Sequence, residues 1–316
     1  MRRRLSSTDL HVFPLCLGGN VFGWTVDGQE AFDVLDAYVE AGGNFVDTAD
    51  AYASWVSEES TGGESEELIG RWLESRGNRG EIVLATKVGR APGMQGLSAA
   101  TIERGVEASL RRLRTDYIDL YYAHADDPDT PLEETLSAFD ALVRSGTVRH
   151  VAASNLGADR LAAALAVSDT EGLTRYVALQ PHYNLVERDG YEGELADLCA
   201  REGIACVPYF ALASGFLTGK YRAADASGVS PRESRATSYV TSEGLATLAA
   251  LDEVAAAHGT SVAAVALAWL AAQPTVVAPI ASARTSEQLR ELVEMASLRL
   301  TDDELALLGG VAPVQG

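Results

Sequence analysis

Cysteine is scarce in this 316-residue sequence, which contains only Cys16, Cys199 and Cys206. The three positions do not have the spacing of a metal-binding or redox motif. Cys16 and Cys206 lie in apolar runs typical of strands, and we interpret both as buried thiols. The sequence therefore predicts no metal site.

Long hydrophobic runs are also missing, although 47% of the residues are hydrophobic. No run approaches the roughly 18 apolar residues that a membrane span requires. The arginine-rich start, residues 1–4, is followed by the mostly polar residues 5–9 rather than by the apolar segment of a signal peptide. We therefore expect a cytoplasmic protein with no membrane partner.

Positive charge is in deficit, since 25 lysines and arginines stand against 45 aspartates and glutamates and the formal net charge is −20. Such a chain repels nucleic acid and anionic membrane surfaces overall. We therefore expect no nucleic-acid partner. An anionic ligand would need a local basic pocket.

What the sequence does contain is a repeated unit, in which a short apolar run precedes an amphipathic stretch. This alternation implies a parallel sheet whose strands are joined by helical crossovers. The eight apolar runs, which we predict to be strands, are residues 13–17, 44–46, 82–87, 117–122, 148–153, 176–179, 204–207 and 276–280.

Eight such units with no separable second half favour a single α/β domain over residues 1–316, folded as a closed (β/α)8 TIM barrel. The lack of Gly-x-Gly-x-x-Gly after the first strand argues against an open dinucleotide-binding sheet. We expect residues 2–13 to form a β-hairpin at the barrel floor. Residues 208–242 have few periodic apolar positions and are predicted to be an active-site loop. Capping-box sequences beginning at Thr285 and Thr301 predict extra C-terminal helices.

Polar residues follow the predicted strands at the end where barrel enzymes carry their chemistry. Considered singly, each has a structural explanation, such as a helix cap, rim packing or a solvated charge. Four titratable groups at adjacent strand ends would rarely coincide by chance. These four are Asp47 and Tyr52 after the second strand, Lys87 at the third and His124 at the fourth. A phenol is a weak proton donor at neutral pH, and a nearby cation makes it a stronger one.

Taken together, these motifs resemble the aldo-keto reductase family along the whole chain, and more narrowly its bacterial NADP-dependent oxidoreductases. The Asp-x4-Tyr spacing combined with a lysine and a histidine is specific as a set, whereas each member alone is weak. The matching stretches are residues 43–52, 85–87, 119–124, 154–155, 180–184, 216–220 and 284–289.

The resemblance implies reversible hydride transfer between a nicotinamide and a carbonyl, which reduces an aldehyde or ketone to an alcohol. It implies that Tyr52 is the general acid that protonates the developing alkoxide. Lys87 is expected to lower the pKa of this tyrosine, and Asp47 to hold Lys87 by a charge-assisted hydrogen bond. His124 is expected to orient the carbonyl oxygen.

The resemblance also implies NADP(H) as the cofactor. Ser154, Asn155 and Gln180 are expected to bind the nicotinamide carboxamide, and Tyr209 to stack on the ring. Arg284, at a helix N-terminus, is expected to hold a 2′-phosphate, which favours NADP(H) over NAD(H). The remaining residues expected to bind the cofactor are Phe210, Leu212, Ser214, Gly215, Lys220, Ser282, Gln288 and Glu291.

Trp24 and Trp55 are the residues that we expect to contact the substrate, and Trp55 lies in an extra stretch, residues 54–61. Aromatic walls favour an apolar or sugar-like small carbonyl compound as the partner. Three alternatives remain open. They are a keto- or enoyl-reductase of an NDP-sugar or secondary-metabolite pathway, a non-catalytic NADP-binding regulatory subunit, and a Schiff-base aldolase barrel that uses Lys87. The sequence does not indicate the oligomeric state.

Overall fold

The computed structural model describes residues 2–223 and 233–311, and its centre is a sheet of eight parallel strands. These strands are β1 (Cys16–Gly18), β2 (Phe45–Asp47), β3 (Val83–Val88), β4 (Ile118–Ala123), β5 (Val148–Ser154), β6 (Ala178–Gln180), β7 (Ala205–Cys206) and β8 (Ile280–Ala281). From β1 to β7 they are neighbours in the order of the chain, and β8 lies beside β1.

Backbone hydrogen bonds between the two ends of the sheet close it into a barrel. The amide of Cys206 in β7 donates to the carbonyl of Thr275 at 2.8 Å, and the amide of Val277 donates back to Cys206 at 2.9 Å. The prediction of a closed (β/α)8 barrel is thus confirmed. The predicted eighth strand starts earlier than the observed ladder with β1, which begins at Ile280. The reason is that residues 276–277 bond to β7 instead.

Helices cover the outside of the barrel and connect its strands. In α4, for example, Leu136 and Phe139 are fully buried on the side that faces the sheet. The helices are α1 (Gly28–Glu40), α2 (Glu64–Arg76), α3 (Ala99–Leu113), α4 (Leu132–Arg144), α5 (Ala158–Glu171), α6 (Glu194–Glu202), α7 (Glu233–Thr237), α8 (Ser242–His258), α9 (Val262–Ala272), α10 (Ser286–Val293) and α11 (Asp302–Gly309).

The last helices and the long segment after β7 were both subjects of sequence-based predictions. The extra C-terminal helices are confirmed as α10 and α11, and Thr301 forms a complete capping box with Glu304. The segment predicted to be a loop over residues 208–242 contains the short helix α7. Residues 224–232 of that segment lie outside the described residues. The helix α7 was not predicted because its 5 residues are too few to show a periodic apolar pattern.

The N-terminal hairpin closes the floor of the barrel, as predicted. Its strands Arg3–Arg4 and His11–Val12 pair in antiparallel fashion. Leu5 and Leu10 are buried, and they pack into the barrel interior in the same cluster as Phe45, the first residue of β2. Apolar side chains therefore fill the end of the barrel opposite to the polar strand ends.

Among the described helices, none is by itself long and apolar enough to cross a membrane. The helices α8 and α9 meet the length and composition requirement only as a pair, and the chain bends by 99° between them. Nine of the residues of α9, from Ala263 to Ala271, are buried in the protein core.

Candidate active site

A buried ion pair joins the carboxyl end of β2 to that of β3. Asp47 is the last residue of β2 and Lys87 lies near the end of β3, and each is 1% exposed. The ammonium nitrogen Nζ of Lys87 lies 2.6 Å from Oδ2 of Asp47 and donates to the carbonyl oxygen of Thr48 at 2.7 Å. Both buried charges therefore have the partners that burial demands.

Tyr52 joins this pair from the turn that follows β2. Its phenolic oxygen lies 2.9 Å from Nζ of Lys87 and 3.4 Å from Oδ2 of Asp47. The next residue, Ala53, is fully buried and has a left-handed φ of 71°. Such a conformation is uncommon outside glycine and persists only where the surrounding structure imposes it. The turn thus holds the phenol against the ammonium.

The pKa of Tyr52 reflects both burial and the neighbouring positive charge. Burial raises the pKa of Tyr52 to about 12, while the ammonium of Lys87 acts to lower it. Burial alone would lower the pKa of Lys87, but Asp47 and Tyr52 together raise it above its ordinary value. Lys87 therefore lowers the pKa of Tyr52 as expected, but burial of the phenol at the barrel mouth raises this pKa by a larger amount.

His124 follows β4 and faces the same group. Its ring centroid lies 6.2 Å from that of Tyr52. Burial lowers the pKa of His124 to about 3, and the positive charges of Lys87 and Arg90 act in the same direction. The imidazole is therefore neutral at physiological pH, with one nitrogen as donor and the other as acceptor.

A chain of hydrogen bonds links polar groups at the ends of β5, β6 and β7 to Asp47. Gln180 donates from Nε2 to Oδ1 of Asp47 at 3.0 Å. Ser154 donates to the carbonyl oxygen of Gln180 at 2.9 Å, and Asn155 donates to the Ser154 hydroxyl at 3.0 Å. Tyr209 donates to Oδ1 of Asn155 at 2.8 Å. The four residues predicted to bind the nicotinamide are therefore contiguous with the ion pair.

One cavity of about 940 Å³ extends from these groups to the N-terminus of α10. This volume falls within the range of about 300–1,000 Å³ that is usual for small-molecule and cofactor sites. Lys87 lies beneath the cavity surface, and all the other predicted site residues line it. They are Trp24, Asp47, Tyr52, Trp55, His124, Ser154, Asn155, Gln180, Tyr209, Phe210, Leu212, Ser214, Gly215, Lys220, Ser282, Arg284, Gln288 and Glu291.

Left-handed backbone conformations cluster along this cavity. Asn155, Phe210 and Ser214 have φ angles of 57°, 52° and 58°. Gly215 continues the turn with a φ of 102°, which glycine adopts without strain. Strained non-glycine residues cost about 1–3 kcal/mol each and are concentrated at ligand sites. Three of them along one cavity are therefore typical of a binding function.

The N-terminus of α10 forms the far end of the cavity. Thr285 caps the helix by accepting from the amide of Gln288 at 3.2 Å. The Gln288 side chain accepts from the amide of Arg284 at 3.0 Å, so the predicted capping box is present only in part. The Arg284 side chain is partly exposed and lines the cavity. A helix N-terminus beside an arginine suits a phosphate group.

Three charged or amide residues of the cavity wall escaped prediction, namely Asn20, Arg90 and Arg235. Asn20 follows β1 and accepts a hydrogen bond from Ser282 at 2.7 Å, so the strand-end signal could have found it. Arg90 lies in a small hairpin after β3, and Arg235 lies 4.3 Å from the ring centroid of Phe210. Both lie beyond the strand ends, where the sequence pattern carries no positional signal.

The sequence model of the aldo/keto reductase family matches residues 14–312. The chain belongs to the aldo/keto reductase family. The match runs from just before β1 to beyond α11, so the family assignment covers the complete barrel. The residues that converge at the mouth of this aldo/keto reductase barrel are those that carried the resemblance in the sequence.

Several proteins are similar to this aldo/keto reductase over nearly the whole of this chain. Norsolorinic acid reductase stcV of Emericella nidulans is 35% identical over 94% of this chain and 77% of its own length. The uncharacterized oxidoreductase YrpG of Bacillus subtilis is 35% identical over 99% of this chain and 96% of its own. A probable voltage-gated potassium channel subunit beta of Arabidopsis thaliana is 32% identical over 92% and 89%.

This aldo/keto reductase is an oxidoreductase that acts on carbonyl and alcohol groups with a nicotinamide cofactor. The cavity fits such a cofactor by volume, by the amide and hydroxyl groups near Tyr52, and by the arginine at the N-terminus of α10.

Proposed function

We propose that Asp47, Tyr52, Lys87 and His124 reduce a small-molecule carbonyl compound to an alcohol. The observation that carries this proposal is the 2.9 Å contact between the Tyr52 hydroxyl and Nζ of Lys87 at the cavity. When bound, NADPH supplies the hydride, which is added to the carbonyl carbon. Tyr52 gives its proton to the carbonyl oxygen, so hydride and proton together complete the alcohol.

The surrounding groups assist this proton transfer. A phenol with a pKa of about 12 stays protonated at physiological pH, so Tyr52 is available as the donor. Proton transfer leaves a phenolate, which the adjacent ammonium of Lys87 stabilises. Asp47 holds that ammonium in place at 2.6 Å. His124 donates a second hydrogen bond to the carbonyl oxygen, where negative charge develops.

The cofactor that we propose for this site is NADP(H) rather than NAD(H). Ser154, Asn155 and Gln180 would hold the nicotinamide carboxamide, and Tyr209 would stack on the ring. The 2′-phosphate would be bound by Arg284 at the N-terminus of α10. The net charge of −20 supports this assignment, because a phosphate on such a chain needs dedicated positive groups.

The substrate that we propose is an aromatic or otherwise apolar carbonyl compound. The rings of Trp24 and Trp55 lie 5.7 Å apart and nearly perpendicular, and Tyr52 lies 6.1 Å from Trp55. Trp55 is 50% exposed, so an indole is available at the cavity mouth. A relative named aryl-alcohol dehydrogenase supports an aromatic substrate.

Two alternatives keep the same fold. A keto- or enoyl-reductase of an NDP-sugar or secondary-metabolite pathway would use the same hydride chemistry on a larger substrate. A non-catalytic NADP-binding regulatory subunit is favoured by relatives named as probable potassium channel beta subunits. A single-turnover assay of bound NADPH distinguishes the second alternative from an enzyme.

We further propose that residues 1–316 act as one domain and that the protein is cytoplasmic. The pairing of β1 with β8, which come from opposite ends of the chain, supports a single domain. All three cysteines of the sequence are buried free thiols, and this supports a compartment in which thiols stay reduced.

The test is NADPH oxidation by the purified protein with aromatic, aliphatic and sugar-derived carbonyl compounds. Tyr52→Phe is expected to lower kcat by about 10³-fold, because general acid catalysis is lost, and to leave the Kd for NADPH within about threefold. Tyr117→Phe is the control, since Tyr117 packs against Arg79 and does not line the cavity. Near-normal turnover by Tyr52→Phe would contradict the proposal.

A Schiff-base aldolase that uses Lys87 is tested separately by adding borohydride together with an aldehyde or ketone. A covalent adduct trapped on Lys87 would favour the aldolase over the reductase.

A further inference from the structure

Two buried polar atoms face each other beneath the cavity. Nδ1 of His124 and Oδ1 of Asp50 lie 3.9 Å apart, and neither has a hydrogen-bond partner among the described residues. The other carboxyl oxygen of Asp50 accepts from the amide of Gly89 at 3.2 Å. Buried polar atoms without partners are costly, so their juxtaposition calls for an explanation.

Asp50 is held by the elements that carry the catalytic group. It follows β2 by three residues and is 1% exposed. Burial raises the pKa of Asp50 to about 6, against the lowering effects of the Gly89 and Ala91 amides and of the positive charges on Arg112 and Lys87. The titratable groups that act on Asp50, on His124 or on their neighbour Tyr121 are Asp47, Glu66, Lys87, Arg90 and Arg112.

The direction of a hydrogen bond at Nδ1 decides what His124 offers to a substrate. A neutral imidazole carries a hydrogen on one nitrogen and a lone pair on the other. Nδ1 is buried and His124 lines the cavity, so Nε2 is the nitrogen that is left to meet a carbonyl oxygen. Nε2 can donate only when Nδ1 is the acceptor. The group in front of Nδ1 must then be a donor, which a carboxylic acid is and a carboxylate is not.

We propose that Asp50 is a positioning residue that donates, as the carboxylic acid, from Oδ1 to Nδ1 of His124 and so fixes the tautomer whose Nε2–H binds the substrate carbonyl. The inference rests on the proposed role of His124 in carbonyl reduction. A closure of about 1 Å brings Oδ1 and Nδ1 to hydrogen-bond distance.

Ionisation of Asp50 reverses this hydrogen bond. The carboxylate accepts from Nδ1–H, and Nε2 then presents a lone pair to the carbonyl oxygen. Reduction therefore weakens as the pH rises through about 6, the pKa of Asp50. On ionisation the carboxyl proton passes from Oδ1 of Asp50 to Nδ1 of His124, and the hydrogen on Nε2 is released to solvent, so one proton leaves and the imidazole stays neutral.

The tautomer can be observed directly by nitrogen NMR of the full chain labelled with ¹⁵N-histidine, because the sequence has only 5 histidines. His124→Gln assigns the resonances of His124. We expect the Nε2–H tautomer at about pH 5 and the Nδ1–H tautomer at about pH 7.5. In Asp50→Asn the side-chain amide donates but does not ionise, so the Nε2–H tautomer is expected at both pH values. A tautomer that responds neither to pH nor to Asp50→Asn overturns the inference, whether or not a substrate has been found.

Kinetics supply the second readout. With saturating NADPH, kcat for carbonyl reduction by the unmodified protein is expected to fall about tenfold between about pH 5 and pH 7 as Asp50 ionises. In Asp50→Asn this fall is expected to shrink to less than about twofold. Asp36→Asn is the matched control, since Asp36 pairs with Arg76 on the outside of the barrel, and it should keep the original profile.

Asp50→Ala separates positioning from folding. It removes the donor, so kcat at about pH 5 should fall about tenfold while the Kd for NADPH changes by less than about twofold. An unchanged kcat in Asp50→Ala, or an unaltered pH profile in Asp50→Asn, overturns the inference and leaves the proposed carbonyl reduction intact. Failure of the unmodified protein to reduce any carbonyl contradicts the proposed function instead, and the NMR experiment still decides the role of Asp50.

Discussion

The ammonium of Lys87 lies 2.6 Å from the carboxylate of Asp47, and both side chains are 1% exposed. Breaking such a buried pair by removing one partner is strongly destabilising, because the other charge is left uncompensated. The same pair places a positive charge directly under the Tyr52 hydroxyl. Under the proposed function, stability and chemistry therefore depend on the same two residues, and substitutions can separate the two effects.

Lys87→Met is expected to lower both kcat and stability. The phenolate of Tyr52 loses its counter-charge, so kcat for carbonyl reduction should fall by about 10³-fold or more. Asp47 is left as an unpaired buried carboxylate, so the free energy of unfolding should fall by about 3–5 kcal/mol. NADPH oxidation measures the first effect, and urea unfolding measures the second.

The double variant Asp47→Asn, Lys87→Met is the control for this prediction. Removing both charges avoids an uncompensated one, so stability should return to within about 2 kcal/mol of the unmodified protein, whereas activity should not return. The pKa of Lys87 is higher in the folded protein than in the unfolded chain. The ammonium therefore contributes fully to stability below its unfolded-state pKa, and this contribution is lost only as the pH rises through its folded-state pKa. The stability difference should therefore be constant between about pH 6 and 9. A single variant as stable as the unmodified protein would contradict this account.

The position of a residue relative to a strand end decided how far the sequence could predict this site. Asp47, Lys87 and His124 lie at or just after strand ends, where alternating apolar runs give both their location and their proximity. Arg235 lies in the 5-residue helix α7, and no periodic pattern announces so short an element. The barrel itself was predictable because eight apolar runs recur, whereas the boundary of β8 depends on hydrogen bonds to β7 that no local pattern encodes.

The burial of side chains was the second property of the site that the sequence could not predict. The sequence indicates that Tyr52 and Lys87 meet, and hence that the ammonium lowers the pKa of the phenol. It does not give the loss of solvent around the phenol, which outweighs that effect and raises the pKa to about 12. The 3.9 Å approach of Asp50 to His124 is also invisible in the sequence, because it depends on the turn after β2 meeting the end of β4.

Arg284→Ala is expected to reduce the preference for NADPH over NADH. A charge-assisted hydrogen bond is worth about 1.5–3 kcal/mol, so the Kd for NADPH should rise by about 10- to 100-fold. The Kd for NADH should change by less than about threefold, because NADH lacks the 2′-phosphate. Arg290→Ala is the control, since Arg290 lies on α10, pairs with Glu287 and does not line the cavity. An unchanged NADPH preference in Arg284→Ala would show that another group binds the phosphate.

Trp55→Ala is expected to weaken the binding of aromatic substrates more than that of aliphatic ones. An aromatic contact contributes about 0.5–1.5 kcal/mol beyond apolar burial, so KM for an aromatic aldehyde should rise by about 2- to 12-fold. Val56→Ala is the matched control, because Val56 is 43% exposed beside Trp55 but does not line the cavity. An equal rise of KM for aromatic and aliphatic aldehydes would argue against an aromatic subsite at Trp55.

Asp50 and His124 are also expected to oppose each other in the pH dependence of stability. The pKa of Asp50 is raised from 3.8 to about 6, so its contribution to stability is present at low pH and is lost as the pH rises through about 6. The pKa of His124 is lowered from 6.5 to about 3, so its contribution is present above about pH 6.5 and is lost as the pH falls through about 3. Between about pH 4 and 6 the two contributions change in opposite directions and largely cancel.

Single substitutions should reveal the two hidden slopes. In Asp50→Asn the free energy of unfolding should rise with pH more steeply than in the unmodified protein, by up to about 1.4 kcal/mol per pH unit, because only the His124 term remains. In His124→Asn it should rise less steeply by a similar amount, because only the Asp50 term remains. Urea unfolding at about pH 4.5 and pH 5.5 measures both slopes. Because the two substitutions are expected to change the slope in opposite directions, each variant is the control for the other. If both substitutions changed the slope in the same direction, the two groups would not titrate as a buried acid and a buried neutral imidazole.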